Sequence, residues 1–278
     1  MCSSHRPNSL PKLVPPTRYS CALVTGASAG IGAEFARQLA PRCGTLVLIA
    51  RRAERLVELA GELERDHEGL RVLPLEADLT DPSARLQAVG HLLSKGLVPD
   101  LLVNNAGMGD YGEFVTSDWM KVEAMLRLNV EALTHLTHAL LPTMIERRSG
   151  SILNVSSLAS LLPIPDFAVY AATKAYVSSF SEALRIEVRE HGIRVTALCP
   201  GPVHTEFGEV AGRAPGTDFG AREWFYVTQE QVVREALDGL SADRPRVYPG
   251  WKVAAAAVGI SLVPLAIMRL VMSSRPRR

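Results

Sequence analysis

The chain reads Thr25-Gly26-Ala27-Ser28-Ala29-Gly30-Ile31-Gly32 between a short apolar run and a pattern typical of a helix. The spacing Gly26-x-x-x-Gly30-x-Gly32 puts glycines where a chain leaving a strand must turn tightly and approach a ligand closely. The helix that follows would direct its amino end at a pyrophosphate. The stretch predicts a dinucleotide-binding turn, although a strand-to-helix turn without a ligand can use the same glycines.

Short apolar runs alternate along the chain with longer helical patterns. Runs that are apolar on both faces suit parallel strands covered by helices on either side, joined by right-handed crossovers. The predicted strands are 21–24, 46–49, 72–75, 101–103, 152–155, 195–198 and a short one at 246–248. Helices are predicted over 53–66, 82–95, 116–147, 169–191 and 228–240. Thr228 and Gln231 predict a reciprocal capping box at the start of the last helix.

Length and composition fit one globular domain, predicted over residues 20–250. The chain has 278 residues, 47% of them hydrophobic and 21% charged, which suffices for one α/β domain with a buried core. Its 30 basic and 29 acidic residues lack the basic excess of a nucleic-acid surface, so no nucleic-acid partner is expected. The four cysteines form no CxxC pair, so we expect free thiols in a reducing compartment and no metal site.

The two ends of the chain differ from this domain. Residues 1–19 carry four prolines and lack the apolar run of a signal peptide, which predicts a flexible tail. Residues 253–268 carry no charge, and Trp251-Lys252 and a basic tail, Arg275-Pro276-Arg277-Arg278, flank this part of the chain. A membrane span needs about 20 apolar residues, so this length is borderline. We expect residues 251–272 either to attach a cytoplasmic protein to the membrane face, which we favour, or to dock on protein.

The end of the second predicted strand indicates which dinucleotide is bound. It reads Ile49-Ala50-Arg51-Arg52, with no acid to accept a hydrogen bond from a ribose 2′-hydroxyl. Two guanidinium groups instead suit a 2′-phosphate, so NADP(H) is favoured over NAD(H). The alternative is that both arginines end the strand in solvent.

Tyr170 and Lys174 stand four residues apart in Tyr170-Ala171-Ala172-Thr173-Lys174. On a helix this spacing places the ammonium beside the phenol. A phenol titrates near pH ~10, and a close cation in a partly desolvated site favours the phenolate. A tyrosine tuned in this way can transfer a proton at neutral pH. Taken singly, either residue is more typical of an ordinary helix surface.

Over about residues 21–205 the chain resembles the short-chain dehydrogenase/reductase family, of the ordinary single-domain type. The resemblance implies a Rossmann-like doubly wound parallel sheet of about seven strands, in the order 3-2-1-4-5-6-7, and usually a homodimer or homotetramer. The shared motifs are the glycine turn, Asp78-Leu79, Asn104-Asn105-Ala106-Gly107, Asn129 in Leu128-Asn129-Val130, Ser156-Ser157, the Tyr170/Lys174 pair and Pro200-Gly201.

The resemblance also implies a role for each catalytic position. Tyr170 is the general acid in reduction and the general base in oxidation, and Lys174 lowers its pKa and holds the nicotinamide ribose. Ser157 orients the substrate oxygen, and Asn129 helps to carry a proton relay through water. Ser157 is preferred to Ser156 because it lies thirteen residues before Tyr170, the spacing usual in the family.

The implied cofactor contacts follow the ends of the strands. Asp78 would contact adenine, Asn105 and Ala106 would line the adenosine pocket, and residues 200–205 would border the nicotinamide. Asp78 as a helix cap and Asn104-Asn105 as a simple turn are the alternatives. The full predicted set is Gly26, Ser28, Gly30, Ile31, Gly32, Arg51, Asp78, Asn105, Ala106, Tyr170, Lys174, Pro200, Gly201, Val203 and Thr205.

The substrate side is predicted from an irregular stretch, residues 203–227, which has the character of a lid. Its aromatic residues, with Met108, Tyr111, Phe114 and residues 158–162, indicate a mainly apolar pocket, unless several of them pack into the core or a dimer contact. We therefore expect an NADP(H)-dependent oxidoreductase that interconverts an apolar ketone or aldehyde and its alcohol. The alternatives are an NADP(H)-sensing protein without turnover and a sugar epimerase or dehydratase.

Overall fold

The computed structural model describes residues 18–212 and 223–273. Within these ranges, seven parallel strands form one sheet in the order β3-β2-β1-β4-β5-β6-β7, which confirms the predicted topology. The strands are β1 (Tyr19–Thr25), β2 (Cys43–Ala50), β3 (Arg71–Glu76), β4 (Leu101–Asn104), β5 (Gly150–Val155), β6 (Ile193–Leu198) and β7 (Arg246–Val247).

Helices cover both faces of this sheet. They are α1 (Gly30–Leu39), α2 (Ala53–Asp66), α3 (Pro82–Ser94), α4 (Trp119–Leu126), α5 (Leu133–Arg147), α6 (Ala168–Val188), α7 (Phe207–Ala211), α8 (Gln229–Ser241), α9 (Trp251–Leu262) and α10 (Leu265–Ser273). Leu46 and Leu48 of β2 belong to a buried cluster that includes side chains of α1, α2 and α8, whereas Val47 and Ile49 belong to a second cluster that includes side chains of α3, α5 and α6. Successive side chains of a strand point to opposite faces of the sheet, and helices cover both faces. All of these side chains are therefore buried, which explains why the strands are continuously apolar.

The predicted helix over 116–147 differs from the structure. α4 starts at Trp119, where the carboxylate of Asp118 accepts a hydrogen bond from the Met120 N–H at 2.9 Å. A π-helical turn, Arg127–Ala132, then separates α4 from α5. Such turns insert one extra residue and often occur at functional sites, and this one carries Asn129.

The predicted capping box before α8 is confirmed in one of its two hydrogen bonds. The Gln231 N–H donates to the Thr228 hydroxyl at 3.3 Å, but the Gln231 side chain bonds to Glu235 at 2.7 Å instead of returning to Thr228. Glu235 lies one turn further along the helix and offers a charged acceptor, which makes the stronger hydrogen bond.

The ends of the chain are described only in part. β1 begins at Tyr19, two residues before the predicted strand. Residues 1–17 of the predicted tail, 213–222 of the predicted lid and the basic residues at 275–278 lie outside the described ranges. Among the described helices none is long and apolar enough to cross a membrane alone, and α9 and α10 are bent by 111° at the break between them.

Candidate active site

A cleft of about 600 Å³ opens along the carboxyl ends of the strands. Parallel strands place the residues that follow them at one edge of the sheet, so distant motifs meet there. The cleft is lined by every residue of the predicted site except Asn129, which lies behind its wall.

The glycine turn forms one end of the cleft. Gly26 has a left-handed φ of 67°, and a Cβ on Gly32 would lie 2.2 Å from the Gly26 carbonyl oxygen, so neither position tolerates a side chain well. The Thr25 hydroxyl accepts hydrogen bonds from the N–H groups of Asn105 and Ala106, each at 3.0 Å. α1 begins after Ala29 without a side-chain cap, which leaves its amino end open to a phosphate.

Asp78 lines the cleft and stabilises the loop after β3. The Thr80 N–H and hydroxyl donate to its Oδ1 at 2.9 and 2.8 Å. Burial opposes ionisation of Asp78, but these hydrogen bonds and the charge of Arg51 outweigh it and lower the pKa. Asp78 is not a helix cap, because Asp81 caps α3.

The two adjacent arginines have different surroundings. Arg51 lines the cleft, is exposed, and makes no hydrogen bond or ion pair within the described residues. Arg52 donates to the Ser28 hydroxyl at 3.1 Å and to Glu206 at 2.7 Å. The sequence pattern grouped the two guanidiniums together, whereas within the described residues Arg52 is bonded to Ser28 and Glu206 and Arg51 shows no such side-chain contact.

Tyr170 and Lys174 lie on α6, buried at the far end of the cleft. The Lys174 Nζ donates to the Val155 carbonyl at 2.9 Å and lies 5.7 Å from the centroid of the Tyr170 ring. The Tyr170 ring stacks on Phe167, with centroids 4.2 Å apart, and packs against Phe207 at 5.4 Å. The spacing of four thus puts both groups on the face that lines the cleft, as predicted.

Burial decides the ionisation of this pair. Desolvation raises the pKa of Tyr170 to about 12, partly offset by a hydrogen bond with Ser157. Desolvation also lowers the pKa of Lys174 to about 8. The Lys174 ammonium donates to the Val155 carbonyl. The pKa of Tyr170 thus lies above its ordinary value and not below it as the sequence predicted, because burial disfavours the phenolate. Tyr170 is therefore a protonated donor at neutral pH.

The two adjacent serines have separate functions. The Ser156 hydroxyl is buried and bonds to the Lys174 carbonyl and the Ser178 hydroxyl, each at 2.8 Å. The Ser157 hydroxyl faces the cleft, bonds to Tyr170, and accepts from the Ala159 N–H at 3.1 Å. Ser156 fastens α6 to β5, and Ser157 is the serine beside the phenol.

Asn129 reaches the site through the π-helical turn. Its side chain exchanges two hydrogen bonds of 2.9 Å with the backbone of Met108 and donates to Thr173 at 3.0 Å. A Cβ on Gly107 would lie 3.3 Å from both the Asn129 Oδ1 and the Lys174 Nζ, so these two groups flank the same glycine. Asn129 fixes the loop after β4 against α6.

Apolar side chains form the wall around Tyr170. The sequence singled out the first four of the following residues and placed the last in the irregular stretch 203–227, but it missed Ile164 and Phe167: Met108, Tyr111, Leu158, Leu162, Ile164, Phe167 and Phe207. Phe114 and Trp224 do not line the cleft and are 60% and 52% exposed. The sequence position of Phe167, less than one helical turn before Tyr170, could have indicated that it lies in this wall.

The parallel sheet, the glycine turn and the cleft at the carboxyl ends of the strands are the features of a dinucleotide-dependent oxidoreductase fold. The family model for short chain dehydrogenases matches residues 20–214. The chain belongs to the short-chain dehydrogenase/reductase family.

Three similar proteins illustrate the relationship. Dehydrogenase/reductase SDR family member 7B of Bos taurus is 33% identical over 229 residues, which cover 81% of this chain and 70% of that protein. A short-chain dehydrogenase from Sphingobium yanoikuyae, solved in complex with NADPH, is 32% identical with a TM-score of 0.78, covering 93% and 97% of the two chains. The bulky-bulky ketone specific alcohol dehydrogenase from Comamonas testosteroni is 27% identical with a TM-score of 0.74, covering 96% of each chain.

We predict that the buried Lys174 ammonium lowers the stability of the folded protein. Without cofactor at pH 7, Lys174→Met should raise the free energy of unfolding by about 1–2 kcal/mol, because the relieved desolvation exceeds the lost hydrogen bond to Val155. The pKa of Lys174 in the folded protein is about 8, below the usual 10.5. The free energy of unfolding of the wild-type protein therefore rises with pH between these two values, and the difference between the variant and the wild type becomes smaller.

Urea unfolding at pH 7 and pH 10 measures both effects. Lys95→Met, at an exposed position after α3, is the control and should change little at either pH. Destabilisation by Lys174→Met at pH 7 would show that the hydrogen bond to Val155 outweighs the cost of burying the charge.

Proposed function

We propose that the protein is an NADP(H)-dependent oxidoreductase that interconverts an apolar ketone or aldehyde and its alcohol. One observation carries the proposal: a buried Tyr170 bonded to Ser157 lies in the same cleft as the glycine turn and the exposed Arg51. Phosphate recognition at one end and a proton donor at the other match the two demands of hydride transfer to a carbonyl group.

Each side chain of the catalytic group has a defined task in reduction. When bound, reduced nicotinamide supplies the hydride to the carbonyl carbon. The carbonyl oxygen gains negative charge as its π bond breaks, and the hydroxyls of Tyr170 and Ser157 donate hydrogen bonds to it. The proton then passes from the Tyr170 hydroxyl to the oxygen, and the product is the alcohol. Lys174 would hold the nicotinamide ribose, and Asn129, which flanks Gly107 together with Lys174, would support the relay that restores the proton to Tyr170.

The substrate class follows from the wall around Tyr170. Met108, Leu162, Ile164 and Phe167 favour an apolar group beside the reacting carbon and offer little to the hydroxyls of a sugar. The similarity to an alcohol dehydrogenase specific for bulky ketones supports this choice. An epimerase or dehydratase acting on a sugar is therefore disfavoured.

The function is tested by NADPH oxidation with a panel of apolar ketones and aldehydes. Wild-type protein should consume NADPH, whereas Tyr170→Phe should lose at least about a hundredfold in kcat and bind NADPH nearly as well, since only the transferable proton is removed. Tight NADPH binding without turnover of any carbonyl or alcohol would support the cofactor-sensing alternative. Retained activity in Tyr170→Phe would show that another group donates the proton.

Cofactor choice is tested at Arg51. Arg51→Ala should raise the Kd of NADPH about tenfold to a hundredfold, the loss of a charged hydrogen bond to the 2′-phosphate, and leave the Kd of NADH nearly unchanged. Titrating both cofactors against both proteins separates the two effects. Arg42→Ala, an exposed arginine before β2 and outside the cleft, is the control. Equal weakening of NADPH and NADH would contradict the assignment.

We further propose that the cytoplasmic enzyme attaches to a membrane face through α9 and α10, and that it forms a homodimer or homotetramer. α10 contains no buried residue, and α9 buries only Val253 and Ala257. Large apolar side chains are more than half exposed on both helices: Trp251, Val258, Leu262, Leu265 and Leu270. An interfacial tryptophan and a basic tail beyond α10 match a bilayer with anionic headgroups.

Attachment would bring the substrate site close to lipid. α9 packs against the turn Leu158–Leu161 that follows Ser157, and Val253 packs against Gly201 of the cleft. A lipid-facing helix in this position suits an apolar substrate that partitions into the bilayer.

Flotation with anionic phospholipid vesicles tests this attachment. The full chain should float with the vesicles, and Leu262→Glu with Leu270→Glu should abolish flotation without lowering the Tm, because both side chains are exposed. Leu86→Glu, at a position of α3 that is 63% exposed, is the matched control. A different pair of results would contradict the attachment: the wild-type protein stays in solution, and the double variant dissociates from oligomer to monomer. These results would assign the two helices to a protein contact.

A further inference from the structure

Glu206 joins two walls of the cleft that are distant in sequence. Its two carboxylate oxygens accept hydrogen bonds from Arg52 at 2.7 Å and Arg55 at 2.6 Å, from the start of α2. Arg52 also donates to the Ser28 hydroxyl in the glycine turn at 3.1 Å. A continuous polar chain thus runs from the turn after β1, through the start of α2, to the segment after β6.

This chain crosses the cleft where a dinucleotide would lie. Ser28, Arg52 and Glu206 all line the cleft, and Thr205 lies close enough to Gly30 that an added Cβ there would meet its Cγ2 at 3.3 Å. The segment before Glu206 therefore lies directly over the amino end of α1, the place suited to a pyrophosphate.

Residues 205–212, which we call the strap, are held at their other end as well. Lys121 donates to the Val210 carbonyl at 3.1 Å, and the Tyr111 N–H donates to the Ala211 carbonyl at 2.9 Å. Between these anchors, Phe207 packs against the ring of Tyr170. Of the two anchored ends, the Glu206 end is the one fastened by exposed ion pairs, which open more readily than backbone hydrogen bonds in a packed loop.

We propose that Glu206, with Arg52 and Arg55, forms a clasp that closes the strap over bound cofactor and controls the rate at which cofactor leaves. The inference rests on the proposed function, since it requires a dinucleotide in this cleft. Hydrogen bonds from both arginines lower the pKa of Glu206, so the clasp keeps its charge through the neutral range. The clasp contacts protein groups on both sides, so it acts on NADPH and NADH alike, in contrast to Arg51.

The test is the rate of cofactor release, measured by stopped-flow fluorescence as excess oxidised cofactor displaces NADPH or NADH from the full chain. Glu206→Gln should speed release of both by the same factor, about three- to tenfold, as expected for exposed ion pairs. Arg55→Ala should reproduce this change, and the double variant should be no faster than either single one. The Tm should stay within about one degree of wild type for each variant, because surface substitutions change stability little.

Glu62→Gln is the matched control. Glu62 makes an ion pair with Arg37 at 2.9 Å, with side-chain exposures of 41% and 46%, close to the 44% and 46% of Glu206 and Arg52. Glu62 lies outside the cleft, so its variant should leave release unchanged.

Two results would overturn the clasp while leaving the proposed function intact. Unchanged release of both cofactors from Glu206→Gln is one. Slower NADPH release with unchanged NADH release is the other, because it would mean that Glu206 competes with the 2′-phosphate for the arginines. If wild-type protein binds neither cofactor, the proposed function fails and the clasp fails with it.

Discussion

Parallel pairing of the strands is the constraint from which the site follows. Every parallel strand must leave the sheet at the same edge as its neighbours, so the turns after β1, β2, β4, β5 and β6 are forced together. The Thr25 hydroxyl fixes this edge by accepting two N–H groups from the turn after β4. The same arrangement leaves the amino end of α1 without a side-chain cap, the kind of helix end that suits an anion.

The catalytic end of the cleft illustrates a conflict between stability and function. Burial of Lys174 and Tyr170 disfavours the charged form of each, which holds the phenol protonated and makes the ammonium costly. The surroundings offset part of this cost through the Val155 carbonyl. A bound dinucleotide would offer the lysine further acceptors on its ribose, so the site is arranged for the ternary complex more than for the folded chain alone.

Two features of the surface differ in their chemistry: the ion pairs of Glu206 and the apolar side chains of α9 and α10. Glu206 connects the strap to α2 through charges that water can compete for, which suits a contact that must open. α9 and α10 instead expose apolar side chains to water. Such side chains favour burial in a lipid bilayer or against another protein surface. Glu206 lines the cleft, and α9 packs behind the cleft wall against the turn Leu158–Leu161.

Local signals in the sequence predicted the strands, most of the helices and most of the residues that line the cleft. The limits of α2, the alternation of strands and helices, and the spacing of four between Tyr170 and Lys174 follow from periodicity and turn chemistry within a few residues. Three features became visible only in the tertiary structure. Arg52 pairs with Glu206, more than 150 residues away in sequence, and a π-helical turn carries Asn129. Burial also raises the pKa of Tyr170. Ion pairs between distant segments and desolvation depend on what surrounds a residue in space, which its neighbours in sequence do not specify.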